Sequence, residues 1–210
     1  MDISRQQREK VAERGPRART RRLMLETATR LMQEGKTPSV SEVAEAAEVS
    51  RATAYRYFPS QAALVHAVVD EALGPILTWQ SQSDDARQRV GELLRSSMPR
   101  IAEFEATFRA ALKLSLEQAA QGEGSSDAEP RFTRGHRVDL LKQALQPLRG
   151  TLPPQQVGRL AQALSLMFGV EVLIVLKDMW GLSERQAFSV AEWAALSLVE
   201  ATIAGGQKGG

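Results

Sequence analysis

Apolar residues recur every three or four positions along nearly the whole chain, and no segment of useful length alternates with a period of two. Helices are therefore the only regular elements the pattern supports, and the expected fold class is all-α. At 210 residues the chain is long enough for one good core or one core with a small appended module.

Local signals divide the pattern. Leu23, Ala28, Leu31 and Met32 form one stripe after Pro16, and that helix is expected to stop at Gly35 with Pro38 beyond it. Ser39 followed by Glu42 reads as a capping box, Ser50 as the cap of a second short helix ending before Pro59, and Ser60 as the cap of a fourth. Gly74-Pro75 marks a bend or module boundary. Beyond it, helices are expected from Ala86 to Ser97, from Pro99 through Leu116, from Phe132 to Leu148, after "GTLPPQQ", and from Ser183 boxed with Gln186. "QGEGSSDAEP" reads as an interior break and "GGQKGG" as a frayed tail. The domain expectation is a basic arm over 1–18, a helix-turn-helix domain over 19–65, a second helical domain over 66–205 and a disordered tail over 206–210.

Between Leu160 and Leu176, and again along the final helix with Phe188, Trp193, Leu198 and Ile203, apolar residues cover more than one face. Helices of that kind are buried on two sides. A second subunit meeting helices of about 154–178 and 184–204 across a two-fold axis satisfies this, as do two central helices of a monomeric bundle.

The charge is uneven. Residues 1–60 hold twelve Lys and Arg against eight Asp and Glu, and "MDISRQQREKVAERGPRARTRR" alone holds eight against three. Such an arm suits a polyanion, although a solvated tail has the same composition. The absence of cysteine excludes a disulfide scaffold, an iron-sulfur cluster and thiol catalysis. No secretory signal is visible, and the apolar run "LSLMFGVEVLIVL" is too short and too polar for a membrane span. Cytoplasm is the expected location, without a membrane partner.

Two short helices joined by a tight turn, the second polar on its outer side, make a helix-turn-helix. Val49, Ala54 and Phe58 are expected to anchor the second helix. Its outer side then holds Arg51, Thr53, Tyr55, Arg56 and Tyr57, which are donors for phosphates and base edges, while Ala52 permits close approach to the groove floor.

The segment "SVSEVAEAAEVSRATAYRYFPSQAALVHAVVDEA" resembles the DNA-binding segment of the TetR/AcrR family of bacterial transcriptional regulators, over roughly residues 20 to 70. That resemblance implies a homodimeric, ligand-responsive repressor. Its N-terminal domain would bind DNA through three helices, and its larger all-helical domain would bind a small-molecule effector and dimerise. It further implies that Ser39 and Ser41 meet the DNA backbone, that Ser50, Arg51, Ala52 and Thr53 open the recognition helix, and that Tyr55 and Tyr57 reach phosphates on either side of Arg56. Double-stranded operator DNA is the implied partner, with no cofactor and no enzymatic role.

Two positions depart from the family pattern. Glu48 stands where glycine is common, which puts a negative charge near DNA and asks a residue with a Cβ for a strained turn. Gln61 stands where a lysine is common; its amide could donate to a phosphate but would release no counterion. Arg14, Arg17, Arg19, Arg21 and Arg22 could compensate along the backbone or in a minor groove.

An effector pocket is expected among the helices between Ile76 and Trp180. Trp79, Met98, Phe104, Phe108 and Phe132 are candidate lining residues, as are Met167, Phe168 and Trp180. Arg109 and Lys113 are candidate anchors for an acidic group, and Glu171 is a candidate for either a ligand cavity or an interface. Plain core packing accounts for the same aromatics, and Arg109, Lys113 and Glu117 form an i, i+4 series that needs no ligand. His66 and Asp70 share a helix face but lack a third ligand in the pattern, so no metal site is expected. The alternative function is an all-helical enzyme or carrier that keeps its helix-turn-helix for assembly alone.

Overall fold

Polar caps set the boundaries of the N-terminal helices as their spacing predicts. The computed structural model describes residues 15–120 and 136–207. In it α1 spans Pro16–Gln33, α2 Val40–Ala46, α3 Arg51–Tyr57 and α4 Gln61–Leu73. The Ser39 hydroxyl accepts from the Glu42 amide at 3.2 Å while the Glu42 carboxylate accepts from the Ser39 amide at 2.7 Å, completing the capping box. Ser50 accepts from the Thr53 amide and Ser60 from the Ala63 amide.

The described residues fall into two compact units. Among these the first takes in 15–71 and 106–120, the second 72–105 and 136–207. One crossing between the units therefore falls inside α4 and another at the start of the helix Glu105–Ala120.

In the first unit α1, α2 and α3 bury Met24, Leu25, Ala28, Met32, Val43, Ala44, Ala54 and Phe58, and α4 adds Leu64, Val65 and Val68. The expected α1 stripe is corrected at its start, because Leu23 is 45% exposed. Counting back from Ala28 by three and four reaches Leu25 and Met24, whereas Leu23 is five residues back and points to solvent. The helix Glu105–Ala120, α6, buries Ala110, Ala111 and Leu114.

The second unit opens with a 3₁₀ turn, Gly74–Thr78, and contains α5 (Ala86–Glu103), α7 (His136–Ala144), α8 (Pro154–Leu164), α9 (Val170–Leu173) and α10 (Glu184–Gln207). Pro99 does not restart a helix as expected; it lies inside α5, which ends at Glu103. A proline one turn from the end deprives only the Arg95 carbonyl of a partner, which the last turn tolerates. The break comes at Phe104, over whose ring the Arg100 guanidinium sits at 4.8 Å while its Nε donates to the Ala72 carbonyl.

Arg89 binds several loop and helix ends together. Its guanidinium donates to the carbonyls of Gln143 and Ala144 near the end of α7, and to those of Ser81 and Ser83. Helix-terminal carbonyls lack intrahelical partners, so an arginine there both satisfies them and favours the local dipole.

The polypeptide between Pro154 and Met179 is bent by 53°. The bend is at Gly169, whose φ is +125°. A Cβ there would collide with the Arg137 guanidinium, which donates to the Ser165 carbonyl before the bend and pairs with Glu171 after it. A π-helical stretch, Ile174–Met179, follows α9, and Lys177 within it pairs with Glu105 at 2.5 Å.

Ser183 and Gln186 cap α10 as expected, but the helix continues through Gly205 and Gly206 to Gln207 rather than fraying at them. The lack of a side chain at Gly206 admits Leu152 against it. Glu184–Gly206 is long and apolar enough to cross a membrane by length and composition. Two of its carboxylates nevertheless pair with α5, Glu192 with Arg95 and Glu200 with Arg87, and Ala187, Ala191, Ala195 and Val199 are buried along one stripe.

Candidate nucleic-acid interface

Helix α3 is amphipathic in the sense its sequence requires. Ala54 and Phe58 are buried at 0% and 2% exposure, and Val49 is half-buried. On the opposite side Arg51, Ala52, Tyr55 and Arg56 are exposed, with Thr53 and Tyr57 half-buried beside them. The helix is held from several directions. The Ser41 hydroxyl and the Tyr55 phenol are 3.3 Å apart, joining α2 to α3. The Ser50 hydroxyl donates to Thr53 Oγ1 at 3.0 Å, leaving the threonine hydroxyl its own proton to donate. The Arg21 guanidinium of α1 lies 5.7 Å from the centroid of the Phe58 ring, and that of Arg56 lies 5.8 Å from Tyr57.

The turn between α2 and α3 contains the one non-glycine residue with positive φ among the described residues, Glu48 at +54°. The strain expected from a Cβ at this position is therefore present. The Val49 amide still donates to the Ala44 carbonyl at 2.8 Å, closing the turn.

Gln61 occupies its amide differently from the expectation. Nε2 donates to the carbonyls of Thr37 at 3.0 Å and Pro38 at 3.2 Å. The group offered for a phosphate thus ties the start of α4 to the turn that precedes α2. Ser39 is half-buried within its capping box. Of the arginine-rich arm, Arg17, Arg19, Arg21 and Arg22 are exposed along the start of α1, so the helix takes in the last residues of the segment expected to be an arm. Arg14 lies outside the described residues.

Residues 24–68 match the family model described as bacterial regulatory proteins, tetR family. That segment is therefore similar to the DNA-binding part of TetR-family regulators. The fold of the chain is similar to that in a crystal structure of a TetR transcriptional regulator from Rhodococcus sp. RHA1, at a TM-score of 0.54 and 18% identity, covering 88% of this chain and 97% of that one. No curated protein sequence matches the chain. A TetR-type reading head and an all-helical second part make this protein a DNA-binding transcriptional regulator.

The residues offered for an effector pocket of this regulator have varied surroundings. In the second unit Met98 and Phe168 are buried, while Trp79, Phe104, Met167 and Glu171 are half-buried. The Trp79 ring lies under Arg89, that of Phe104 under Arg100, and Glu171 pairs with Arg137. Trp180 is 73% exposed, at the end of the π-helical stretch rather than in an interior. In the first unit Phe108 and Arg109 are half-buried, and Lys113 is exposed and 3.9 Å from Glu117. Phe132 lies outside the described residues. The Nδ1 atom of His66 is 3.1 Å from an Asp70 carboxylate oxygen.

Two further features belong to the second unit, of which the first was not anticipated. A cleft of about 620 Å³ lies between α7 and α8, and none of the residues just named lines it. Separately, Leu166, Val175, Met179, Trp180, Val190 and Trp193 are large apolar side chains left exposed, most of them over 70% or near 40–45%. The second feature lies on the helices whose sequence is apolar over more than one face.

Proposed function

We propose that this regulator is a cytoplasmic homodimeric repressor, released from a roughly palindromic operator by a small-molecule effector. The observation that carries the DNA half of the reading is α3 itself. A seven-residue helix presents Arg51, Ala52, Tyr55 and Arg56 outward while Ala54 holds it to the core. Arginine bridges guanine O6 and N7 in a major groove, and tyrosine and serine hydroxyls position the helix on phosphates. Ser39, Ser41, Ser50, Thr53 and Tyr57 complete the proposed contact set, with Gln61 acting through its hold on the Thr37 turn.

The exposed apolar side chains from Leu166 to Trp193 support the dimer, since a water-facing surface carrying two tryptophans and a methionine is stabilised when a second copy covers it. Two reading heads related by a two-fold axis then require half-sites about one helical turn, or a multiple of it, apart. An effector that binds one spacing of the heads better than another shifts the population between them. The helix α4 is the proposed carrier of that change, since one of the chain crossings between the units falls within it.

The test is a gel-shift titration with the DNA flanking the coding region. Arg51→Ala should relax preference at one base position at a cost of ~1–3 kcal/mol, and Tyr57→Phe should weaken all sequences about equally. A protein without any sequence preference in its DNA binding would overturn the reading.

A further inference from the structure

The cleft between α7 and α8 has a chemistry of its own. Its floor is Leu141 and Leu145, buried at 1% and 0%, and Val157 of α8 forms part of its wall. Its charged lining residues are Lys142 and Arg149, and no carboxylate lines it. Neither cation has an ion-pair or hydrogen-bond partner among the described residues. Gly158 lines the cleft from α8, and a Cβ there would meet nothing within 4 Å. The α8 side of the cleft is thus open at this exposed position. At about 620 Å³ it falls in the range of small-ligand pockets, roughly 300–1,000 Å³.

From this we infer that the cleft binds a small amphipathic anion, with its apolar chain on Leu141, Leu145 and Val157 and its carboxylate or phosphate head between Lys142 and Arg149. An apolar bed rewards burial of a hydrocarbon chain, and two cations without side-chain partners among the described residues supply charge-assisted hydrogen bonds to an anionic head. A cationic or neutral head would leave both cations unanswered. A second copy of the chain is a poorer occupant, because none of the exposed apolar residues from Leu166 to Trp193 lines the cleft. That the anion serves as the effector rests on the repressor reading above; that it binds here does not.

Calorimetry on the DNA-free protein separates the two. Dodecanoate and dodecyl phosphate, titrated below micelle formation, should bind, and the tighter of the two identifies the head group. Dodecanol and dodecyltrimethylammonium should bind at least about tenfold more weakly. Lys142→Met and Arg149→Met should each weaken the anions about tenfold without weakening dodecanol. Gly158→Leu should abolish binding of all the chains while melting no lower than the parent, since leucine replaces glycine within a helix and enters open space. Equal binding of all four head groups, no binding of either anion, or unchanged binding to Gly158→Leu overturns the inference. So does a dimerisation constant altered by Gly158→Leu, which would place the second copy in the cleft. If the anion binds as described but leaves the operator complex intact, the site stands and the release mechanism fails.

Discussion

The side-chain amide of Gln61 donates to the carbonyl of Thr37 at 3.0 Å, across 24 residues of sequence. This bond fastens the first turn of α4 to the segment that leads into the capping box of α2, so the reading head is braced by a residue expected to touch DNA. Gln61→Lys should lose the internal bond, at about 1 kcal/mol of stability. It should also gain a cation beside the phosphates, steepening the salt dependence of operator binding by about one counterion per half-site. Parallel melting curves and affinities at three salt concentrations check both effects, and an unchanged slope would show that the position faces away from the phosphates.

Glu48 combines backbone strain with charge, and two substitutions separate them. Glu48→Gly should relieve the left-handed conformation, offset in part by the greater freedom of glycine in the unfolded chain, for a net gain of up to about 1 kcal/mol. Glu48→Ala keeps the strain. Both remove a negative charge near the proposed DNA surface and should tighten binding at low salt. Urea titrations alongside gel shifts test this, with equal stability of the two variants as the contrary result.

The capping box of α2 makes the stability of the head depend on pH. Bonds donated by the Ser39 backbone amide, then by the Ser39 side chain, hold the Glu42 carboxyl below its ordinary value. A depressed carboxyl stabilises the fold above its unfolded pKa, about 4.3, and that contribution is lost as pH falls through the lower, folded value. Glu42→Gln should therefore flatten part of the acid limb between about pH 5 and 3. Ser39→Ala should cost about 1 kcal/mol at neutral pH by removing the cap. Melting temperatures across pH 3 to 7 read both effects, and an acid limb identical in Glu42→Gln would contradict them.

Trp193 is 71% exposed in the single chain, so its replacement disturbs little of that chain's own packing. Trp193→Glu should leave the helical circular-dichroism spectrum intact and weaken self-association by at least about thirtyfold, as expected for a buried aromatic anchor of an interface. Sedimentation at micromolar concentration decides between this outcome and a dimer held elsewhere.

What could be read from the sequence was chemistry that closes within a few residues. Ser39 with Glu42, Ser50 with Thr53, Ser60 with Ala63 and Ser183 with Gln186 all bond within three positions, and the strained turn at Glu48 followed from the presence of a Cβ alone. Leu23 and Pro99 were misplaced where a helix's exact phase or end decided the outcome. The bend at Gly169 depends on Arg137, more than 30 residues away, and the cleft depends on α7 and α8 converging. Neither left a local signature beyond the pairing of Lys142 and Arg149 with nearby leucines. Gln61 was recognised as unusual, yet its partner lay 24 residues back and could be found only in three dimensions.

The ion pairs of α5 with α10 have a consequence beyond their energy, which is small at their exposure. Arg87 and Arg95 are eight residues apart, as are Glu192 and Glu200, about 12 Å in either helix. Antiparallel helices with matched spacings satisfy both pairs in one alignment, and sliding α10 by a turn breaks both together. The pairs thus work as a two-pin key that indexes the long helix along its neighbour. Because Val190 and Trp193 ride on that helix, the same key sets how far along the subunit its apolar surface is presented.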